Sequence, residues 1–152
     1  MIDGVKVKDL KVMTDDRGLL MEMLRSDDPD FQGFGQVYVT KVNAGVAKAW
    51  HYHKKQTDHF VCVGGLAKVA LFDDREGSPT HGETNVFEIG WGNQQMVVIP
   101  PGVYHGFMPA NDEPAFIINI PTELYDYEHP DEYRRPYDDP EIGYDWGAVM
   151  GG

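Results

Sequence analysis

The chain has six histidines, and four of them, His51, His53, His59 and His105, fall in a region of strand-like patterning. Histidine has an ordinary pKa near 6.5, which suits it to take and return protons at neutral pH, and its neutral ring also ligates metals. His51 and His53 are two residues apart, so on a strand they project from one face while Trp50 and Tyr52 project from the other. His59 opens the next apolar run, and His105 follows the turn Pro100-Pro101-Gly102. Together with Asp58 (or His59), the set His51, His53 and His105 offers three nitrogens and a carboxylate. Such a set suits Zn, Fe, Mn or Ni and leaves positions open for a substrate. A single strand histidine is usually a polar surface residue. Two on one face, with a third behind a Pro-x-Gly turn, argue for a site of proton transfer or metal ligation.

Short β-strands must position these side chains. Seventeen glycines and ten prolines punctuate the chain. Between them lie runs rich in Val, Ile, Phe and Tyr: Gln36–Asn43, Phe60–Val63, Leu66–Phe72, Asn85–Ile89, Met96–Ile99 and Ala115–Ile120. This spacing predicts an antiparallel sandwich or barrel. Gly64-Gly65, between two runs, predicts a tight hairpin turn. No window of about a dozen residues carries a 3.6 period, so helix is expected to be scarce. No repeat or linker divides the chain, and one domain over residues 1–152 is expected. The stretch from Tyr125 to Gly152 is acidic, Tyr-rich and broken by prolines. Its aromatics, among them Tyr133, Tyr144 and Trp146, are unfavourable in water, so the stretch is expected to wrap over the barrel.

Gly45, five residues, His51-x-His53, four more, Asp58, six more and Gly65 together resemble the first cupin motif, with Asp for the usual Glu. Pro100-x-Gly102-x-x-His105 resembles the second. The implied fold is all-β: a cupin double-stranded β-helix, a jelly-roll-like barrel with its site in the mouth. Within cupins, four further segments narrow the match. They are Asp15-Asp16-Arg17-Gly18-Leu19-Leu20-Met21-Glu22, Ser78-Pro79-Thr80-His81-Gly82, Ile99-Pro100-Pro101-Gly102-Val103-Tyr104-His105-Gly106-Phe107 and Tyr137-Asp138-Asp139-Pro140-Glu141-Ile142-Gly143. In that order they resemble the dTDP-4-dehydrorhamnose 3,5-epimerase family, over roughly Lys11 to Trp146.

The resemblance implies an isomerase that needs no cofactor. It would remove and return protons next to the ketone of a nucleotide-diphospho-4-keto-6-deoxy sugar. His51 matches the base, Asp139 the carboxylate that orients it, His105 a second active-site histidine, and Asp73 a buried acidic residue of the substrate site. Arg17 and Glu22 match nucleotide-contacting positions, commonly across a homodimer interface. Lys48 falls where an arginine lies near the phosphates, a point charge in place of a fork. Three positions depart from the family. His59 stands at the enolate-stabilising lysine, Ile118 at the tyrosine acid, and His53 at a substrate-side glutamine. Tyr104 and Tyr125 are the nearby phenols that could replace the acid.

Charge and composition set the bounds. Twenty-five acidic residues against 13 basic give a net charge of −12, which disfavours nucleic acid as a partner. An anionic substrate therefore needs local basic residues such as Lys48, Lys54, Lys55 and Arg17 to prevail at the site. The longest apolar runs are too short to span a membrane. One cysteine, Cys62, and a start without signal-peptide character point to the cytoplasm. Two other functions stay open from sequence. One is a metal-dependent cupin (an isomerase, lyase or dioxygenase) with His51, His53, Asp58 and His105 as ligands. The other is a non-catalytic barrel that binds sugar nucleotides.

Overall fold

Short runs of alternating or wholly apolar residues pair as strands in a computed structural model that describes residues 1–152. Two sheets face each other. One has the order β1 (Lys6–Asp9), β9 (Gln95–Ile99), β6 (Asp58–Gly64), β11 (Ala115–Asn119) and β4 (Tyr38–Val42). The other has the order β12 (Tyr133–Arg134), β5 (Val46–Tyr52), β10 (Val103–Pro109), β7 (Leu66–Asp73) and β8 (Thr84–Gly90). A short β13 (Met150–Gly151) lies parallel to β5. β2 (Lys11–Asp15) and β3 (Gly18–Glu22) form a separate hairpin. The architecture is the expected all-β cupin barrel, with no helix, and so none long and apolar enough to cross a membrane.

Period-two alternation decides which side chains meet inside. Phe60 and Cys62 of β6, Val97 and Ile99 of β9 and Ile117 of β11 face Val69 and Leu71 of β7 and Phe107 of β10. Burying each large apolar side chain contributes roughly 1.5–3 kcal/mol. The outer face of the six-stranded sheet is also covered. Trp50, Phe72, Tyr104 and Met108 pack under Ile142 and Trp146 of the C-terminal stretch. In that stretch Trp146 lies 5.0 Å from Trp50 and Tyr133 stacks on Tyr52 at 5.0 Å, whereas Tyr127 is 90% exposed.

Two features differ from a simple hairpin reading. β6 pairs with β9 and β11, and β7 pairs with β10 and β8, so Gly64-Gly65 is a corner between sheets. Gly65 has φ +73°, and a Cβ there would lie 2.4 Å from the Pro114 carbonyl oxygen. The glycine pair signals a sharp turn but carries no information on which strands pair.

The second irregularity lies in β5. His51 opposes His105 of β10, yet Lys48 opposes Phe107, so three steps on β5 match two on β10. The extra residue makes a β-bulge, which re-aims the side chains beyond it. Lys48 and His51, an odd number of residues apart, therefore share the inner face. Gly106 permits this close approach, because a Cβ there would lie 2.2 Å from that of Ala49.

Candidate active site

Between the two sheets, at one end of the barrel, lies a cavity of about 580 Å³. Strand β5 contributes His51 and Lys48, and from the facing sheet β4 contributes Tyr38 and β11 contributes Asn119. Phe60 and Phe107 line it with apolar surface, and Glu132 and Arg134, at β12, complete its rim. Arg134 sits opposite His51 in register.

His51 and His105 are cross-strand neighbours, with ring centroids 4.2 Å apart, and only His51 lines the cavity. Burial first, then the positive influence of His105, His53 and Arg134, holds the His51 imidazole well below the ordinary histidine range. It is thus a neutral base facing open space. His53 and His105 lie behind it with Asp58. Imidazole nitrogens of His51, His53 and His105 are within 4.8 Å of one another. Asp58 Oδ2 is 3.3 Å from both His53 Nε2 and His105 Nε2. Of the donor set anticipated from sequence, the three histidines lie together, and Asp58 adjoins His53 and His105.

Asn119 connects this cluster to the cavity. Its Oδ1 accepts the His59 backbone N–H at 3.1 Å, which fixes the amide's orientation. The two hydrogens of its Nδ2 go to Asp58 Oδ1 at 2.7 Å and to the Tyr38 hydroxyl oxygen at 2.9 Å. Tyr38 therefore accepts from Asn119 and keeps its own hydrogen free to donate. Burial pushes the Tyr38 phenol above its ordinary value; the Asn119 hydrogen bond opposes this, and the charges on Asp58 and Glu132 add to it.

Other residues singled out from sequence lie elsewhere. Asp139 is not at His51. Its Oδ1 accepts the Glu141 N–H, its Oδ2 is 3.7 Å from Arg135 Nη1, and it lines a separate outer depression. His59 is fully buried but faces outward, because it lies between the inward Asp58 and Phe60 and pairs with Val98 of the outer cluster. Its Nδ1 donates to the Ile120 carbonyl at 2.7 Å. Ile118 likewise turns away, flanked by the cavity-lining Ile117 and Asn119.

Asp73 is buried, but as a structural knot. It accepts from Arg75 Nε at 2.8 Å, Ser78 Oγ at 2.6 Å and Thr80 Oγ1 at 2.7 Å. This accounts for the Ser-Pro-Thr motif. Arg17, at the β2–β3 tip, is 91% exposed and bonded to Asp15, and Glu22 pairs with Arg25. Neither reaches the cavity of its own chain. Tyr104 packs on the outer face and accepts from Arg135, and Tyr125 lies outside the cavity lining. Tyr38, Asn119, Glu132 and Arg134 carried no motif, and only strand pairing brings them to the site.

The family profile described as dTDP-4-dehydrorhamnose 3,5-epimerase matches residues 1–151. A probable low-salt glycan biosynthesis epimerase of Haloferax volcanii is 49% identical over 158 aligned positions, covering 99% of this chain and 98% of that protein. The crystal structure of a dTDP sugar isomerase from Desulfovibrio desulfuricans superposes with a TM-score of 0.90 at 32% identity, covering 95% and 92% of the two chains. A Legionella pneumophila epimerase solved with dTDP-4-keto-L-rhamnose gives a TM-score of 0.85 at 26% identity, covering 97% and 80%.

Proposed function

The chain belongs to the dTDP-4-dehydrorhamnose 3,5-epimerase family, and we propose that it inverts a carbon next to the ketone of a nucleotide-diphospho-4-keto-6-deoxy sugar. The observation that carries this reading is the neutral His51 imidazole, which faces a cavity with cationic groups on its walls. His51 takes the proton from the carbon beside the ketone, and the C–H electron pair moves into the ring to give an enolate. A proton returned to the same carbon from the opposite face completes the inversion. Tyr38, on the facing sheet and with its hydrogen unspent, donates it. Solvent exchange then moves the proton from the His51 imidazolium back to the Tyr38 phenolate, so nothing is oxidised or reduced.

Lys48 has no acidic partner, and Arg134 is bonded only to the rim residue Glu132. These two cations grip the diphosphate, and they answer how a chain of net charge −12 accepts an anionic substrate. The assembly is a homodimer. The β2–β3 hairpin exposes Met13, Leu19 and Leu20, an apolar surface that a second copy would cover while bringing Arg17 towards its neighbour.

The test is deuterium uptake from heavy water into a dTDP-4-keto-6-deoxy sugar. Uptake next to the ketone that is lost in His51→Asn is the expected result. No uptake by the unaltered protein from any nucleotide form would sink the epimerase reading and favour a binding barrel.

A further inference from the structure

Between Tyr137 and Ala148 the C-terminal stretch forms a depression of about 340 Å³ on the outside of the barrel, within the size range of small-molecule sites. Three aromatic residues, Tyr137, Tyr144 and Trp146, and three carboxylates, Asp138, Asp139 and Asp145, line it. The loop is held in shape from within. The Gly143 N–H bonds the Asp139 carbonyl at 3.1 Å, and Asp145 Oδ1 accepts the Gly147 N–H at 2.8 Å. It is also tied to the barrel. Lys68 Nζ donates to the Trp146 carbonyl at 3.2 Å, and the Val149 N–H donates to the Gly45 carbonyl at 2.8 Å.

Trp146 is wedged between Trp50 at 5.0 Å and a perpendicular Tyr144, also at 5.0 Å. The residue is 2% exposed, and its indole N–H has no acceptor. A buried donor left this way calls for an acceptor from outside the chain, and the depression that Trp146 lines is where one can enter.

The lining selects the kind of molecule. Three carboxylates, with no lysine or arginine among them, repel anions. Arg135 stands 3.7 Å from Asp139, yet it is spent on Asp74 at 2.8 Å and Glu141 at 3.0 Å. A metal ion does not fit, because the three carboxylates do not gather oxygens within 4.8 Å of one another. An alkylammonium suits the rings and the charges but offers no lone pair to the indole N–H. A saccharide meets all three conditions. Its C–H faces cover aromatic rings, its hydroxyls donate to carboxylates, and a hydroxyl oxygen accepts from the indole.

We propose that this depression is a second, non-catalytic site that binds a neutral saccharide. It lies behind the strand that carries His51, with Trp50 packed on Trp146 and His51 facing the substrate cavity. A saccharide bound there does not compete with a nucleotide in the cavity. The site holds whether or not His51 is the base.

The experiment reads binding, not turnover. The whole chain, with and without dTDP, is followed by nitrogen–proton NMR as the methyl glycosides of glucose, mannose, galactose and rhamnose are added. At least one should shift the Trp146 indole signal, assigned through Trp146→Phe, with a dissociation constant on the order of 1–10 mM. The Gly143 and Gly147 amide signals should follow the same curve, and dTDP should leave that curve unchanged. Nuclear Overhauser contacts from the Tyr144 and Trp146 rings to the sugar's C–H protons need no variant. Asp138 and Asp145 are exposed, so Asp138→Asn/Asp145→Asn should keep the fold. That variant should bind at least about tenfold more weakly, the size of one charge-assisted hydrogen bond. No saturable shift with any of the four glycosides overturns the proposal. So does a shift abolished by dTDP, which would assign the sugar to the cavity, or binding unchanged in the folded double variant. Tetramethylammonium saturating the Trp146 signal where no glycoside does would likewise overturn it, in favour of a cation site.

Discussion

His51 and His105 face each other across β5 and β10, with rings 4.2 Å apart and inclined at 69°. One ring looks into the cavity and its neighbour is sealed behind it. The same residue type in adjacent positions therefore has unequal access to a substrate. Removing a general base costs about two to four powers of ten in rate. His51→Asn should show that loss in deuterium uptake, with dTDP affinity nearly unchanged because the proposed phosphate contacts, Lys48 and Arg134, are intact. His105→Asn should lose less. Near-normal uptake by His51→Asn would remove it from the base role.

Tyr38→Phe separates proton removal from inversion. His51 remains, so it can still take a proton and return a deuteron on the same face. Recovered substrate should thus acquire deuterium while the epimer forms at least about a hundredfold more slowly. If inversion and exchange fall together, or neither falls, Tyr38 is not the acid.

Lys48→Met and Arg134→Gln should each weaken dTDP binding about tenfold, the size of one charge-assisted hydrogen bond. Calorimetry over a range of salt concentrations should also show a shallower salt dependence for each variant. An unchanged dissociation constant would place the diphosphate elsewhere.

A different acid governs stability. Burial alone would raise the Asp73 pKa, but hydrogen bonds from Arg75, Ser78 and Thr80 outweigh it and hold the carboxyl well below the usual carboxylate range. Folding therefore favours the ionised form. Its contribution is complete above the ordinary aspartate value and is lost as pH falls below that value towards the folded one. Asp73→Asn should destabilise by about 3 kcal/mol at neutral pH, since Arg75 loses its buried partner. Its urea midpoint should also decline less steeply below about pH 4 than that of the unaltered chain. Parallel curves for the two proteins would contradict this account.

Much of the barrel was legible because β4, β6, β7, β8, β9 and β11 carry apolar, β-branched runs bounded by glycine or proline. Strand β10 was not. Gly106 and Pro109 within it, and the Pro-Gly turn before it, read as punctuation. Strands β1 to β3 are short and charged, so their pattern is faint. At the site, the i, i+2 spacing exposed His51 and His53, and the turn motif exposed His105. Asp58 and His59 illustrate the limit. Both were candidates, and only the parity of β6, set by pairing with β9, decides that one faces in and the other out. Asn119 and Tyr38 lie 61 and 81 positions from their partners Asp58 and Asn119, a separation no local pattern reports. Asp139 sits among acids of similar appearance, and its actual neighbour, Arg135, belongs to no motif.

The bulge in β5 has a consequence for how this enzyme can diverge. Lys48 and His51, the residues proposed for phosphate grip and proton abstraction, occupy one strand, three positions apart, and share a face only because one extra residue shifts the frame between them. Deleting that residue would restore regular pairing and turn either Lys48 or His51 outward, so the two proposed roles would be lost or retuned together by insertion or deletion there. Residue 106 is bound to the same constraint, since any side chain larger than hydrogen would push the bulge off its neighbour. On the proposed reading, substrate range would drift through the cavity rim at Glu132 and Arg134, while the spacing between Lys48 and His51 stays frozen.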